Sequence, residues 1–419
     1  MPKRLQVDAT SRARGCMLGL LIGDALGAAV EGFDPDEIKN IAVQNGWNDG
    51  YIHDYIEAVH MATYIKIGDE FHNVVFESER RVDGRRYEYL GHGPISGHSD
   101  VRAPCARLGM YTDDGNSSLA LASSLVENSS LNPEHAAKRY AEFWQTGSSI
   151  RGYPESAKNV MAHVLDGSVH YTESGLEPVF PFKGGSWANG GAMRISPIAI
   201  AYRNAASSVL RKAVTWAIYS SHRHPEAVDG AFVQARMVQY ALNSTSVHNF
   251  KNGLRKVICE IVKDCLTDAM KGVVTAVYDS VIKKNKTKML QENPSPDREA
   301  LNALLLSYER RGSGMGFQIA AVHAIPCVLW IALKYHTSAE WGVMKAISLG
   351  GDTDTIASMV GAILGALHGE HVWKAPENKN WFDALENDDR GRDYALELGT
   401  RLAELDLTSD SSVLVEENL

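Results

Sequence analysis

Gly350-Gly351-Asp352-Thr353-Asp354-Thr355, followed without a break by the apolar run Ile356 to His368, sets the reading of the whole chain. The Gly-Gly pair permits a tight backbone turn. Ile356, Met359, Val360, Ile363, Leu364 and Leu367 recur at helical spacing, so the acidic cluster falls at a helix N-terminus. A second cluster, Tyr111-Thr112-Asp113-Asp114, stands before another helical run with Leu119, Leu121, Leu125 and Val126. Asp or Thr at such a place is ordinarily an N-cap. Counted together, the clusters hold four carboxylates and several hydroxyls, the hard oxygen donors that suit Mg²⁺.

Outward from these turns the chain reads as almost entirely helical. Runs are expected near Ser117–Asn128, Pro133–Gln145, Ser156–Leu165, Ser196–Ala205, Ser207–Ser221, Glu226–Leu242, Gly253–Lys284, Asp297–Arg310, Gly316–Tyr335, Ala339–Ser348, Thr353–Gly369 and Arg390–Glu404. Pro326 should kink or interrupt its helix. The N-terminal run Arg14 to Val30 carries Gly15, Gly19, Gly23 and Gly27 every four residues, a face on which another helix can approach closely. Asp24 interrupts that run, and Glu31 just beyond it reads by default as a surface glutamate. Residues 40–107 lack sustained helical period. There, His72 to Glu77 and Arg85 to Leu90 flank Asp83-Gly84, a hairpin signal. The expectation is an all-α, multi-helix orthogonal bundle forming one domain over 14–405. An insertion at about 40–107 holds the small β-hairpin, and a flexible tail covers 406–419.

Composition narrows the function classes. The 419 residues carry a net charge of -9, which argues against a dedicated nucleic-acid binder. Five scattered cysteines with no C-x-x-C argue against a disulfide framework or a zinc site and for a cytoplasmic protein. The most apolar window, Phe317 to Tyr335, contains Gln318, His323 and Pro326, so a buried helix is expected and no membrane span. The basic run Lys283 to Lys288 reads as a solvated linker. His60, His72, His92 and His98 match no metal-ligand spacing.

One further stretch bears on ligand binding. Lys183 to Arg194 (KGGSWANGGAMR) is a glycine-rich loop entering a helical run, where successive backbone N–H groups form a cradle for a diphosphate. It is neither a Walker loop nor a Rossmann fingerprint. A tight interhelical loop has equal standing. His222, at a helix end, is ordinarily a cap or core residue; beside a diphosphate it would donate a hydrogen bond.

Taken together, GCMLGLLIGDALGAAVEG (15–32), YTDDGNSSLAL (111–121), GGSWANGGAMRISPIAI (184–200), SSHRHPEA (220–227) and SLGGDTDTIASMVGAILGALHG (348–369) resemble the ADP-ribosylglycohydrolase family. That family includes dinitrogenase reductase-activating glycohydrolase and the ADP-ribosyl-acceptor hydrolases. The resemblance implies an all-α domain with two Mg²⁺ ions below an ADP-ribose cleft. Thr112, Asp113 and Asp114 fall on the first metal motif; Asp352, Asp354 and Thr355 fall on the second. Glu31 matches a glutamate on a mobile loop over the metals. Gly185, Ser186, Trp187 and Asn189 match the diphosphate loop, and His222 a histidine that contacts the nucleotide. The loop's wording is most similar to the serine-ADP-ribose members. Gly115 stands where many members have threonine, Ala188 replaces a common glycine, and the 40–107 region is longer than in most members.

The implied activity is removal of ADP-ribose from an ADP-ribosylated protein by Mg²⁺-dependent cleavage of the C1″ bond. The acid/base groups would be Glu31, Asp113 and Asp354, with Glu31 acting either as gate or as acid/base. The contrasting expectation is an inactive ADP-ribose reader or crystallin-like protein.

Overall fold

In the computed structural model the described residues are 8–56, 62–67, 70–75, 81–82, 85–86, 109–147, 151–283, 295–308, 312–374 and 380–415. The first half of the helices comprises α1 (Ala9–Ala28), α2 (Pro35–Gln44), α3 (Asp113–Asn128), α4 (Pro133–Thr146), α5 (Glu155–Leu165), α6 (Gly190–Met193), α7 (Ser196–Ala201) and α8 (Ser207–Ala217). The second half comprises α9 (Pro225–Asn243), α10 (Val247–Asp264), α11 (Asp268–Tyr278), α12 (Ser295–Leu305), α13 (Ala321–Lys334), α14 (Ala339–Ile347), α15 (Thr353–His368) and α16 (Arg392–Glu404). The fold is all-α, and among the described residues the strands lie between α2 and α3.

The centre of the fold is the packing of α1 on α15. Both helices are apolar or small on nearly every face and are buried along almost their whole length. The four-residue glycine spacing of α1 meets α15 at each step. A Cβ on Gly19 would lie 2.2 Å from the Gly361 carbonyl oxygen, and one on Gly23 2.2 Å from that of Ala357. One on Gly27 would lie 2.5 Å from the Asp354 Cα. Backbones this close leave no room for side chains between them, so the approach depends on glycine at these positions. At the other end, Arg12 Nη1 donates to the carbonyls of Ala366 (3.1 Å), Leu367 (2.7 Å) and Ala241 (3.1 Å). It thereby satisfies acceptors that the C-terminus of α15 leaves open and adds a second donor at Ala241 O of α9, which also accepts from Ser244 N–H.

Several expectations shift in detail. The long run expected from Gly253 to Lys284 breaks into α10 and α11, followed by a π-turn at Asp279–Lys283. The break is fixed from a distance: the buried Asp229 carboxylate accepts from Leu266 N–H (2.9 Å) and Thr267 N–H (2.7 Å), while Thr267 caps α11. Pro326 sits inside α13 without ending it. Around Asp83-Gly84, Arg81–Val82 pairs with Arg85–Arg86. The strand Glu70–Val75, however, pairs antiparallel with Ala62–Ile67 and not with the segment beginning at Arg85. The nearer partner costs less loop-closure entropy.

The C-terminal segment expected to fray is docked through Val415. Leu131 N–H donates to Ser412 O (2.9 Å), Leu414 N–H donates to Leu131 O (2.8 Å), and Val413 is buried. The described cysteines Cys16, Cys259, Cys265 and Cys327 are free. The basic run beyond Lys283 and the side chains of His60, His72, His92 and His98 lie outside the described residues.

Candidate active site

The ordinary N-cap reading of the two acidic clusters fails. Thr112 is the N-cap of α3 and Asp352 that of α15, yet neither side chain makes a capping hydrogen bond. The start of α3 is capped from outside instead. Asp24, the one acidic residue of α1, accepts from Thr112 N–H and Gly115 N–H, each at 2.8 Å. Gly115 has no space for a larger residue, because a Cβ there would lie 2.6 Å from both Leu21 Cδ2 and Tyr111 Cδ2. Behind the turn, Arg151 donates to the Tyr111 carbonyl and forms a two-point ion pair with Glu386 (2.6 and 2.7 Å).

The close helix pair then brings the second turn against the first. Thr112 Oγ1 lies 3.3 Å from Asp354 Oδ2, and Thr355 Oγ1 lies 3.2 Å from Asp114 Oδ2. Asp114, Asp352, Asp354, Thr112 and Thr355 are all buried, whereas Asp113 is partly exposed. Glu31, read by default as a surface glutamate, is buried as well. Its loop is tied to the glycine turn: Gly32 N–H donates to Gly351 O (2.7 Å) and Gly351 N–H to Phe33 O (2.9 Å). Gly350 and Gly351 both have positive φ (70° and 81°), the backbone state this tie requires. One carboxylate oxygen from each of Glu31, Asp352 and Asp354 falls within 4.8 Å of the others.

The glycine-rich loop reaches the same centre. Asn189 Nδ2 donates to Asp352 Oδ2 (2.6 Å) and to Gln318 O (3.1 Å). The loop backbone pairs with the segment before α13, with Asn189 N–H donating to Ile319 O and Ala321 N–H to Trp187 O. Ser186 Oγ accepts from Ala188 N–H (3.2 Å), and Gly184 and Gly185 have positive φ. A single helical turn, α6, lies within the loop, and the run expected from Ser196 to Ala205 is α7, which ends at Ala201. His222 is buried with its Nε2 side against Gly190: a Cβ there would lie 3.0 Å from Nε2.

The family model described as ADP-ribosylglycohydrolase matches residues 5–411. The chain belongs to the ADP-ribosylglycohydrolase family. It is 26% identical over 375 residues to the ADP-ribosylhydrolase ARH3 of Mus musculus, covering 86% of this chain and 84% of that one. It is 26% identical over 394 residues to an uncharacterized protein of Archaeoglobus fulgidus, covering 94% and 96%. A solved structure described as an ADP-ribosylglycohydrolase-related protein complex superposes with TM-score 0.59 at 20% identity, covering 95% of this chain and 99% of that chain. This last likeness bears on the fold alone. As an ADP-ribosylglycohydrolase, the protein is a hydrolase of ADP-ribose glycosidic bonds.

The electrostatics of this ADP-ribosylglycohydrolase fit a cation. Burial pushes Asp352 up to about 7, with the charge of Glu31 adding to the effect. Burial also drives Asp114 and Asp354 well above the usual carboxylate range, and the next strongest influences on both are other carboxylates. Asp114 Oδ1 is buried with no hydrogen-bond partner. One acceptor without a donor, among buried carboxylates that repel one another, is the condition that a hard divalent ion relieves. No nitrogen or sulfur ligand is in the set, which suits Mg²⁺ better than zinc.

Two supporting residues carry little local signal of their role in the sequence. Asp24 was visible only as a charge interrupting an apolar run. Gln318 accepts from Asp352 N–H (2.9 Å) and donates to Gly350 O (3.3 Å), and its one signal was a polar residue in the most apolar window.

Proposed function

We propose that the protein removes ADP-ribose from a modified protein side chain, arginine or serine linked, by Mg²⁺-dependent hydrolysis of the C1″ bond. The observation that carries this reading is the convergence of the turns at Thr112–Asp114 and Asp352–Thr355 into one buried oxygen-donor cluster. Asn189 joins that cluster directly to the glycine-rich loop.

Thr112, Asp113, Asp114, Asp352, Asp354 and Thr355 would hold two Mg²⁺ ions, with Glu31 beside them. Bound there, the ions supply positive charge that orients the ribose hydroxyls and makes a water's proton easier to remove. The chain's own groups do the remaining work. Gly185, Ser186, Trp187, Asn189 and His222 seat the nucleotide. A carboxylate, Asp113 or Asp354, takes the water's proton as its oxygen bonds to C1″. The C1″ bond to the acceptor breaks through an oxocarbenium-like state as protonated Glu31 gives its proton to the departing side chain, and the aspartate that took the water's proton then passes it back to Glu31.

The partners are ADP-ribosylated proteins and free ADP-ribose. Free cysteines support a reducing, cytoplasmic setting. Among the described residues no helix is long and apolar enough to cross a membrane.

The test is a panel of arginine-, serine- and glutamate-linked ADP-ribosylated substrates, each assayed with Mg²⁺ and with EDTA, with chromatography of the products. Free ADP-ribose released only with Mg²⁺ supports the reading. Release of AMP or phosphate, binding without release, or release that persists in EDTA overturns it.

A further inference from the structure

His222 meets its surroundings on two sides of the imidazole ring, and they differ in kind. At Nδ1, Ser221 Oγ lies 2.9 Å away and Arg194 Nη2 lies 3.5 Å away. The same Nη2 donates to Ser221 Oγ. Nε2 faces Gly190 of the glycine-rich loop, with no hydrogen bond to it recorded among the described residues. Arg194 is buried, with its guanidinium 4.4 Å above the Tyr140 ring.

A guanidinium has donors only and cannot lose its proton in a protein. Its N–H groups point at Ser221 Oγ and at Nδ1, so Ser221 Oγ is occupied as an acceptor, and its own proton has two outlets, Nδ1 at 2.9 Å and Ile218 O at 3.4 Å. Whichever outlet the hydroxyl takes, the guanidinium N–H aimed at Nδ1 needs a lone pair there, so Nδ1 is the bare, accepting nitrogen. The ring's single proton is left at Nε2, on the loop side.

We propose that Arg194 and Ser221 are positioning residues that hold His222 as the neutral Nε2–H tautomer. That proton is a ready-made donor for the diphosphate of ADP-ribose. This rests on the functional reading above for the identity of the ligand, but the tautomer itself does not depend on it. Burial, and after it the charge of Arg194, depress the imidazole's basicity well below its ordinary value, in keeping with a neutral ring. Nε2–H at the glycine loop adds a side-chain donor to the backbone donors there, whereas the other tautomer would present a lone pair to a phosphate oxygen and repel it.

The experiment is long-range ¹H–¹⁵N correlation on the full-length protein with ¹⁵N-labelled histidine, His222 being assigned by loss of its signals in His222→Gln. Calorimetry with ADP-ribose is run alongside. Wild type should show a pyrrole-type Nε2 and a pyridine-type Nδ1 at neutral pH. Arg194→Met should show a population with the proton at Nδ1 and about tenfold weaker ADP-ribose binding. His222→Gln, whose amide places a donor near the Nε2 position, should bind more tightly than His222→Ala. Ser221→Ala serves if Arg194→Met does not fold, with a smaller change in the same direction, and Ser221→Thr should restore the wild-type spectrum.

A protonated Nδ1 in wild type overturns the proposal. So does unchanged affinity in a variant whose tautomer has moved. Wild-type protein that shows the Nε2–H form but binds no ADP-ribose removes the functional reading and the donor role together. In that case the assignment of the tautomer to Arg194 and Ser221 still stands on the spectra.

Discussion

Gly19 and Gly361 touch backbone to backbone: a Cβ on either would lie 2.0–2.2 Å from the other's carbonyl oxygen. Neither backbone can retreat, because the same two helices are held at Gly15 against Gly365 and at Gly27 against Asp354. Gly19→Ala should therefore cost about 1–3 kcal/mol or more, as overpacking of a close-packed interior does. Urea denaturation measures it. A loss below about 0.5 kcal/mol would show that the helices part easily.

Asp24 is the second target. Asp24→Ala leaves two buried N–H groups, those of Thr112 and Gly115, without acceptors, at about 1–3 kcal/mol each. Thermal unfolding should show the loss, and Mg²⁺ titration of the folded variant should show weaker binding, since the turn carrying Thr112, Asp113 and Asp114 is no longer pinned. A variant with wild-type Mg²⁺ affinity would mean that Asp24 supports the fold and nothing more.

Asp354→Ala and Asp113→Ala should each lower turnover by more than about a hundredfold, exceeding the losses typical of residues behind the ligands. In wild type, Mg²⁺ should raise Tm and EDTA should reverse the rise, because an ion bound only by the folded state stabilises it. Asp354→Ala should lose that response while remaining folded, since it removes a carboxylate that its buried neighbours repel. Mg²⁺-dependent hydrolysis persisting in both variants would reject the ligand assignment.

How far the sequence led differs by element. Periodicity located most helices, and the four-residue glycine spacing of α1 indicated a close neighbour without saying that α15 is the neighbour. Both acidic turns were legible as a pair because they share a donor chemistry. What escaped notice was set by contacts between distant segments. Asp229 ends α10 from another helix, Asp24 caps α3 from another helix, and the loop of the buried Glu31 is tied through Gly32 and Phe33 to Gly351. No local pattern records such partners.

The pH dependence has a definite sign. His222 is buried, and its folded pKa lies well below the ordinary 6.5 for that reason first and because of Arg194 second. Below about pH 6.5 the unfolded chain binds a proton at this position that the folded chain refuses, so stability is full above 6.5 and falls on acidification. His222→Gln should flatten the decline between pH 7 and pH 5 by up to about 1.4 kcal/mol per pH unit. Urea midpoints for the two proteins across that range measure it. Parallel curves would place the acid sensitivity in other groups.

The hydroxyl of Thr353 on α15 bonds to the carbonyl of Gly27 on α1, 326 positions earlier in the chain. During synthesis on the ribosome α1 emerges 326 positions ahead of the surface it fits on α15. At about 5–20 residues per second the nascent chain waits tens of seconds for that surface. Throughout that interval α1 can meet α3 and α9, but its glycine-striped face lacks α15, and shielding that face falls to provisional contacts or to a chaperone.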